Sequence, residues 1–163
     1  MNYAIGFYKK PMKNNNMKKK VIGIGNKLMM DDGAAIFVLQ NIKNDLEYNG
    51  IEVIIGETDV DFCFSKLNNV DEFYIVDSYF SGKIPGTLTF KKIKDVKKIR
   101  KHCAVHSLGL MDLIDIYGIE VKGYFVGIEV GRIDMNIGLS NDLQVKFKDV
   151  CSKILKFMIN NKN

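Results

Sequence analysis

Short apolar runs alternate along the chain with longer stretches in which apolar residues recur every three or four positions. The runs at 21–25 and 73–76 carry no charge and predict strands buried on both faces. Residues 51–55 predict another strand, and 124–130 the last one. From about Asp32, Ala35, Val38, Leu39, Ile42 and Leu46 keep a helical rhythm, which Asn49-Gly50 stops. A short helix is expected over 62–67. A further helix begins near Ser107, with Leu110, Leu113, Ile114 and Tyr117 on one face and Gly118 as its stop. The final helix, 141–158, has the inner stripe Leu143, Phe147, Val150, Ile154 and Met158, with lysines outside.

Strand and helix alternate nearly throughout. This order predicts an α/β protein: a three-layer α/β/α sandwich around a doubly wound, mostly parallel, five-stranded sheet. Residues 87–90 supply the exception. They follow the third strand across the loop Ser81-Gly82-Lys83-Ile84-Pro85-Gly86, too short for a crossover helix, so this strand is expected to run antiparallel. Residues 91–105 must then carry the chain back to the other edge of the sheet.

The 163 residues fit a single domain, here 17–163, and the 47% hydrophobic content fits a packed core. Residues 1–16 are polar, basic and rich in asparagine, and read as a disordered N-terminal extension. Three of the five net positive charges come from Lys9, Lys10 and Lys13 in that extension. The other lysines are scattered and no aromatic-basic motif accompanies them, so no nucleic-acid partner is expected. No apolar run is long enough to span a bilayer and no secretory signal is visible, which predicts a cytoplasmic protein without membrane contact. Cys63, Cys103 and Cys151 are odd in number and far apart, and read as free thiols rather than a disulfide framework.

Three residues that can ligate a metal stand beside these elements. Asp32 follows the first strand, Asp77 ends the third apolar run, and His106 precedes the periodic segment from Leu108. Loops after parallel strands gather at one edge of such a sheet, which places Asp32 and Asp77 together. A carboxylate directly after a buried strand is costly unless it is paired or opens into a cleft. Asp31 is expected to cap or support the turn while Asp32 points into the cleft. Glu57 and Asp59 share that edge and read as surface turn residues. His102 reads as solvated, and Asp61, Asp112, Asp115 and Glu129 as surface or helix residues. Gly23-x-Gly25 opens like a dinucleotide fingerprint, but Leu28 replaces the third glycine and no Walker lysine follows. His-Glu-x-x-His and Gly-x-Ser-x-Gly motifs are also missing.

From about Lys19 to Met158 the chain resembles the maturation endopeptidases of nickel–iron hydrogenases. The resemblance is carried by motifs in order: Gly23-Ile24-Gly25-Asn26-Lys27-Leu28-Met29-Met30-Asp31-Asp32-Gly33, Gly56-Glu57-Thr58, Val76-Asp77-Ser78, Gly82-Lys83-Ile84-Pro85-Gly86-Thr87-Leu88, His106-Ser107-Leu108-Gly109-Leu110 and Ile137-Gly138-Leu139-Ser140. It departs at Glu57, in a turn that is glycine-rich in the family, and at Ala34-Ala35, where the family often has another glycine.

The resemblance implies a hydrolase that removes a C-terminal extension from the hydrogenase large-subunit precursor after nickel insertion. It implies that Asp32, Asp77 and His106 serve as both metal-recognising and catalytic residues. The nickel would arrive with the precursor and would not be held permanently, and the enzyme is expected to act as a monomer. Whether nickel or a carboxylate activates the nucleophile is open at this stage. The alternative is a flavodoxin-like module that binds a nucleotide or small molecule without protease activity.

Overall fold

A computed structural model describes residues 17–161. Its strands are β1 (Lys19–Ile24), β2 (Ile51–Glu57), β3 (Glu72–Tyr79), β4 (Leu88–Lys92) and β5 (Gly123–Glu129). Its α-helices are α1 (Ala34–Tyr48), α2 (Val60–Ser65), α3 (Val105–Ile116) and α4 (Asn141–Asn160). The five strands form one sheet in the order β2-β1-β3-β5-β4. All neighbouring pairs are parallel except β4 against β5, so the antiparallel exception falls where the short connection predicts it.

The period-two pleat sends alternate side chains to opposite faces, and helices cover both. Val21, Val53, Tyr74, Val76, Val126 and Ile128 pack with the inner stripes of α1 and α4. Ile22, Ile24, Ile54, Phe73, Ile75 and Phe125 pack with Cys63 of α2 and with Leu110, Met111 and Ile114 of α3. Right-handed crossovers explain this division: β1 to β2 moves one way along the sheet, whereas β2 to β3 and β3 to β5 move the other way.

Several boundaries differ from the sequence expectation. The third strand runs on past the apolar stretch, so Asp77 lies inside β3, paired with Gly127, and Ser78 and Tyr79 continue the ladder. The second strand takes in Gly56 and Glu57, which were expected in a turn. The short helix starts at Val60 because the Asp59 side chain accepts the Phe62 N–H at 2.8 Å and caps it. The return from β4 is made by two 3-10 turns, Ile93–Lys98 and Arg100–His102, after which Cys103 bridges to Tyr79 at the end of β3. This return delivers α3 to the edge where the parallel strands end. The expected extension over residues 1–16 lies outside the described residues. Among the described residues no helix is long and apolar enough to cross a membrane.

Candidate functional site

The strand order reverses between β1 and β3. Their pairing stops at Gly23 opposite Val76, and the next residue of β1, Ile24, turns to pair with Glu57 of β2. In open α/β sheets such a switch point, beyond the carboxyl ends of the strands, is where a ligand-binding crevice is expected. Asp77 and Ser78 are the next two residues of β3, and the loop after β1 brings Asp32 to them.

That loop is folded tightly by the chain itself. Gly25 has φ +141°, and a Cβ there would stand 2.0 Å from the Asp32 carbonyl oxygen. The glycine makes room for the returning backbone of a 3-10 turn, Met30–Gly33, rather than for a ligand's phosphates. Asp32 is half-buried and both its oxygens are held: Oδ2 accepts the Asn26 N–H at 3.0 Å and Oδ1 accepts the Ser78 hydroxyl at 2.8 Å.

Asp77 is fully buried. Its Oδ1 accepts the Ser78 N–H at 2.7 Å and lies 3.3 Å from the Ser78 hydroxyl. Its Oδ2 has no hydrogen-bond partner among the described residues. Burial pushes its carboxyl up to about 7, and the neighbouring Asp32 charge adds to the rise; the Ser107 hydroxyl and the Ser78 N–H and hydroxyl offset only part of it. A buried carboxyl with one oxygen lacking a close hydrogen bond, raised toward neutrality at the switch point, is a candidate for a site that takes up a cation or a proton.

His106 lies in the first turn of α3, next to the buried Ser107 that approaches Asp77, and its ring is half-exposed. Asp32 and Asp77 are thus brought together, whereas the His106 ring makes no side-chain hydrogen bond among the described residues. No three His, Cys, Asp or Glu side chains among those residues are grouped to hold one metal ion. The expected trio is therefore an acid pair plus a histidine on a neighbouring helix turn, not an assembled three-donor cage.

Two buried carboxylates brace the crevice. Asp31, fully buried, accepts Gly131 N–H at 3.1 Å, Arg132 N–H at 3.0 Å, Ser140 N–H at 2.7 Å and the Ser140 hydroxyl at 2.7 Å. It supports the turn as expected, but by tying the β1 loop to the β5–α4 connection rather than by capping a helix. Glu129 is the clear correction to the sequence reading: it is 1% exposed, not a surface residue. From the end of β5 it accepts the backbone N–H groups of Ser81, Gly82 and Lys83, and the Ser81 hydroxyl. Glu129→Ala is expected to raise amide hydrogen exchange at residues 81–83 at least about tenfold, because the loop loses its common acceptor. Unchanged exchange there would show that the loop is held by other contacts.

The remaining sequence candidates fall outside the crevice chemistry. Glu57 is exposed and pairs with Lys27 at 2.8 Å. His102 is not simply solvated: its Nδ1 lies 2.9 Å from the Phe80 carbonyl, and its ring meets Tyr79 edge-on. Burial, with the Asp59 charge next, pushes the Cys63 thiol up to about 11; burial, then the Asp77 charge, does the same to Cys103. Both stay protonated at neutral pH, which speaks against a cysteine nucleophile.

The five-stranded α/β/α architecture is similar to that of several solved hydrogenase maturation endopeptidases. Hydrogenase maturating endopeptidase HybD from E. coli superposes with a TM-score of 0.74 at 20% identity, over 89% of this chain and 94% of that one. The [NiFe] hydrogenase maturation protease HybD from Thermococcus kodakarensis gives 0.68 at 21% identity, over 85% and 98%. The maturation protease HycI from Thermococcus kodakarensis KOD1 gives 0.65 at 16% identity, over 88% and 94%. No protein-family model matches the chain, and no curated protein matches it in sequence. At these identities the likeness establishes the fold.

Proposed function

We propose that this chain is an endopeptidase that removes a C-terminal extension from the large-subunit precursor of a nickel–iron hydrogenase after nickel insertion, and that it recognises the nickel carried by that precursor. The observation that carries this reading is the acid pair at the switch point: Asp32 and Asp77 meet on one serine hydroxyl, and Asp77 Oδ2 is left without a partner. The pair stands in a fold similar to that of solved hydrogenase maturation endopeptidases.

Carboxylate oxygens and an imidazole suit a borderline divalent ion such as nickel. Asp32 and Asp77 supply two such donors, and His106, half-exposed and without a side-chain hydrogen bond among the described residues, is the third. In this reading the ion arrives with the client, and the three donors meet it when the precursor docks. The scissile peptide is then held beside the acid pair. Hydrolysis proceeds either through a nickel-polarised carbonyl or through a water activated by a carboxylate, and both routes need the same two aspartates. We place the enzyme in the cytoplasm, as a monomer.

The test is direct. Purified protein is incubated with nickel-loaded precursor, and shortening of the large subunit is followed on a gel. Asp32→Asn and His106→Ala are expected to slow cleavage at least about a hundredfold if each supplies a donor to the ion. Wild-type rates in both, or no cleavage by the wild type, would end this reading.

A further inference from the structure

We propose that Ser78 is a positioning residue that holds the two carboxylates in the arrangement that distinguishes nickel-loaded from nickel-free precursor. The role rests on the function proposed above. Ser78 is fully buried within β3. What it touches are the two acids. Its hydroxyl donates to Asp32 Oδ1 at 2.8 Å, and the same oxygen lies 3.3 Å from Asp77 Oδ1. Its N–H donates to Asp77 Oδ1 at 2.7 Å.

One residue therefore binds the inner oxygen of each carboxylate. Both acids are fixed in rotation, and the unpartnered Oδ2 of Asp77 is the atom left free. Asp32 is fixed a second time, through Oδ2, by the Asn26 N–H. Beside Asp77 the further hydroxyl is that of Ser107, which approaches its carboxyl without a close hydrogen bond to Oδ2. A hydroxyl also eases the close approach of two anions, because its hydrogen lies between oxygens that would otherwise repel across a low-dielectric crevice. Alanine at this position keeps the backbone N–H but removes the link between the acids. Partners that orient metal-binding carboxylates in this way typically change metal affinity by about 10–100-fold when lost.

The experiment compares the binding of nickel-loaded and nickel-free precursor to wild type, Ser78→Ala and Ser78→Thr, with a thermal melt of each protein alone. The wild type is expected to prefer the nickel-loaded form. Ser78→Ala should lose about tenfold of that preference while its affinity for nickel-free precursor stays near wild type, and its melting temperature should fall by only about 2–8 °C because one buried acceptor loses its donor. Ser78→Thr keeps the hydroxyl and should recover most of the preference. A merely structural role would weaken both precursors alike and leave their ratio unmoved. An alanine variant with the wild-type ratio, or a threonine variant as impaired as the alanine one, overturns the role of Ser78 while the functional reading stands. If the wild type itself neither prefers nor cleaves nickel-loaded precursor, the functional reading falls and the role of Ser78 falls with it.

Discussion

At pH 8, Asp77→Asn is expected to be more stable than the wild type and at least about a hundredfold slower in processing. The stability gain follows from the titration of a fully buried acid. In the unfolded chain Asp77 titrates near its ordinary value of 3.8, and in the fold near 7, chiefly because burial penalises its charge. Between those limits the folded protein binds the extra proton, so stability falls as pH rises. The penalty is absent below about pH 4, grows up to about pH 7 and is complete above it. Three pH units correspond to roughly 4 kcal/mol.

Asparagine removes that charge. It keeps an oxygen for the Ser78 N–H but places an unpaired amide N–H where Oδ2 stood, which returns about 1–3 kcal/mol. The net gain at pH 8 should be on the order of 2 kcal/mol, and it should vanish or reverse near pH 4. Urea unfolding of both proteins at pH 8 and pH 4 measures it. A variant less stable than wild type at pH 8 would show that Asp77 is ionised at little cost. On the function proposed above, the same substitution removes an anionic donor, so activity and stability should move in opposite directions. That is the pattern expected where a fold keeps an ill-satisfied group for its chemistry.

The second large effect is expected at Asp31. Asp31→Ala leaves two N–H groups from residues 131–132 and both donors of Ser140 without their acceptor, and Asp31→Asn puts an amide donor against some of them. Breaking such a buried, charge-assisted cluster costs about 3–5 kcal/mol. For a chain of this size that lowers the melting temperature by roughly 10 °C. Asp31→Asn should be nearly as damaging as Asp31→Ala, because what the site needs is four acceptor positions on one carboxylate. A melting temperature within about 2 °C of wild type for either variant would mean that water or rearranged backbone replaces the carboxylate. Ser140 also caps α4 through the Leu143 N–H, so local damage should extend into that helix.

How much of this could be read from residue order follows from what kind of force sets each part. Apolar periodicity placed all five strands and all four helices, and the shortness of the 81–86 loop foretold the antiparallel β4. Hydropathy failed where burial is polar. The third strand seemed to stop at Val76 because Asp77 and Ser78 are hydrophilic, yet both are completely enclosed and hydrogen-bonded to their neighbours. Glu129 looked like a surface acid because its donors lie 46 to 48 positions away and three of the four are backbone groups, which leave no trace in composition. Asp32 and Asp77 were placed at one edge by topology alone, but the serine between them was not recognised. The proximity of His106 to that edge depended on the 3-10 turns of residues 93–102, whose lysine-rich sequence has neither clear period.

The opposite end of the sheet has a practical consequence. Lys19 Nζ donates to the Asn161 carbonyl at 3.3 Å, and Lys19 also pairs with the buried Glu72. The first strand and the last helix thus meet at the rim farthest from the acid pair. A surface tether fixed at this rim would leave the acid pair facing away from the support, and a linker joining Lys19 directly to Asn161 would give a permuted protein cut open elsewhere with the acid pair untouched.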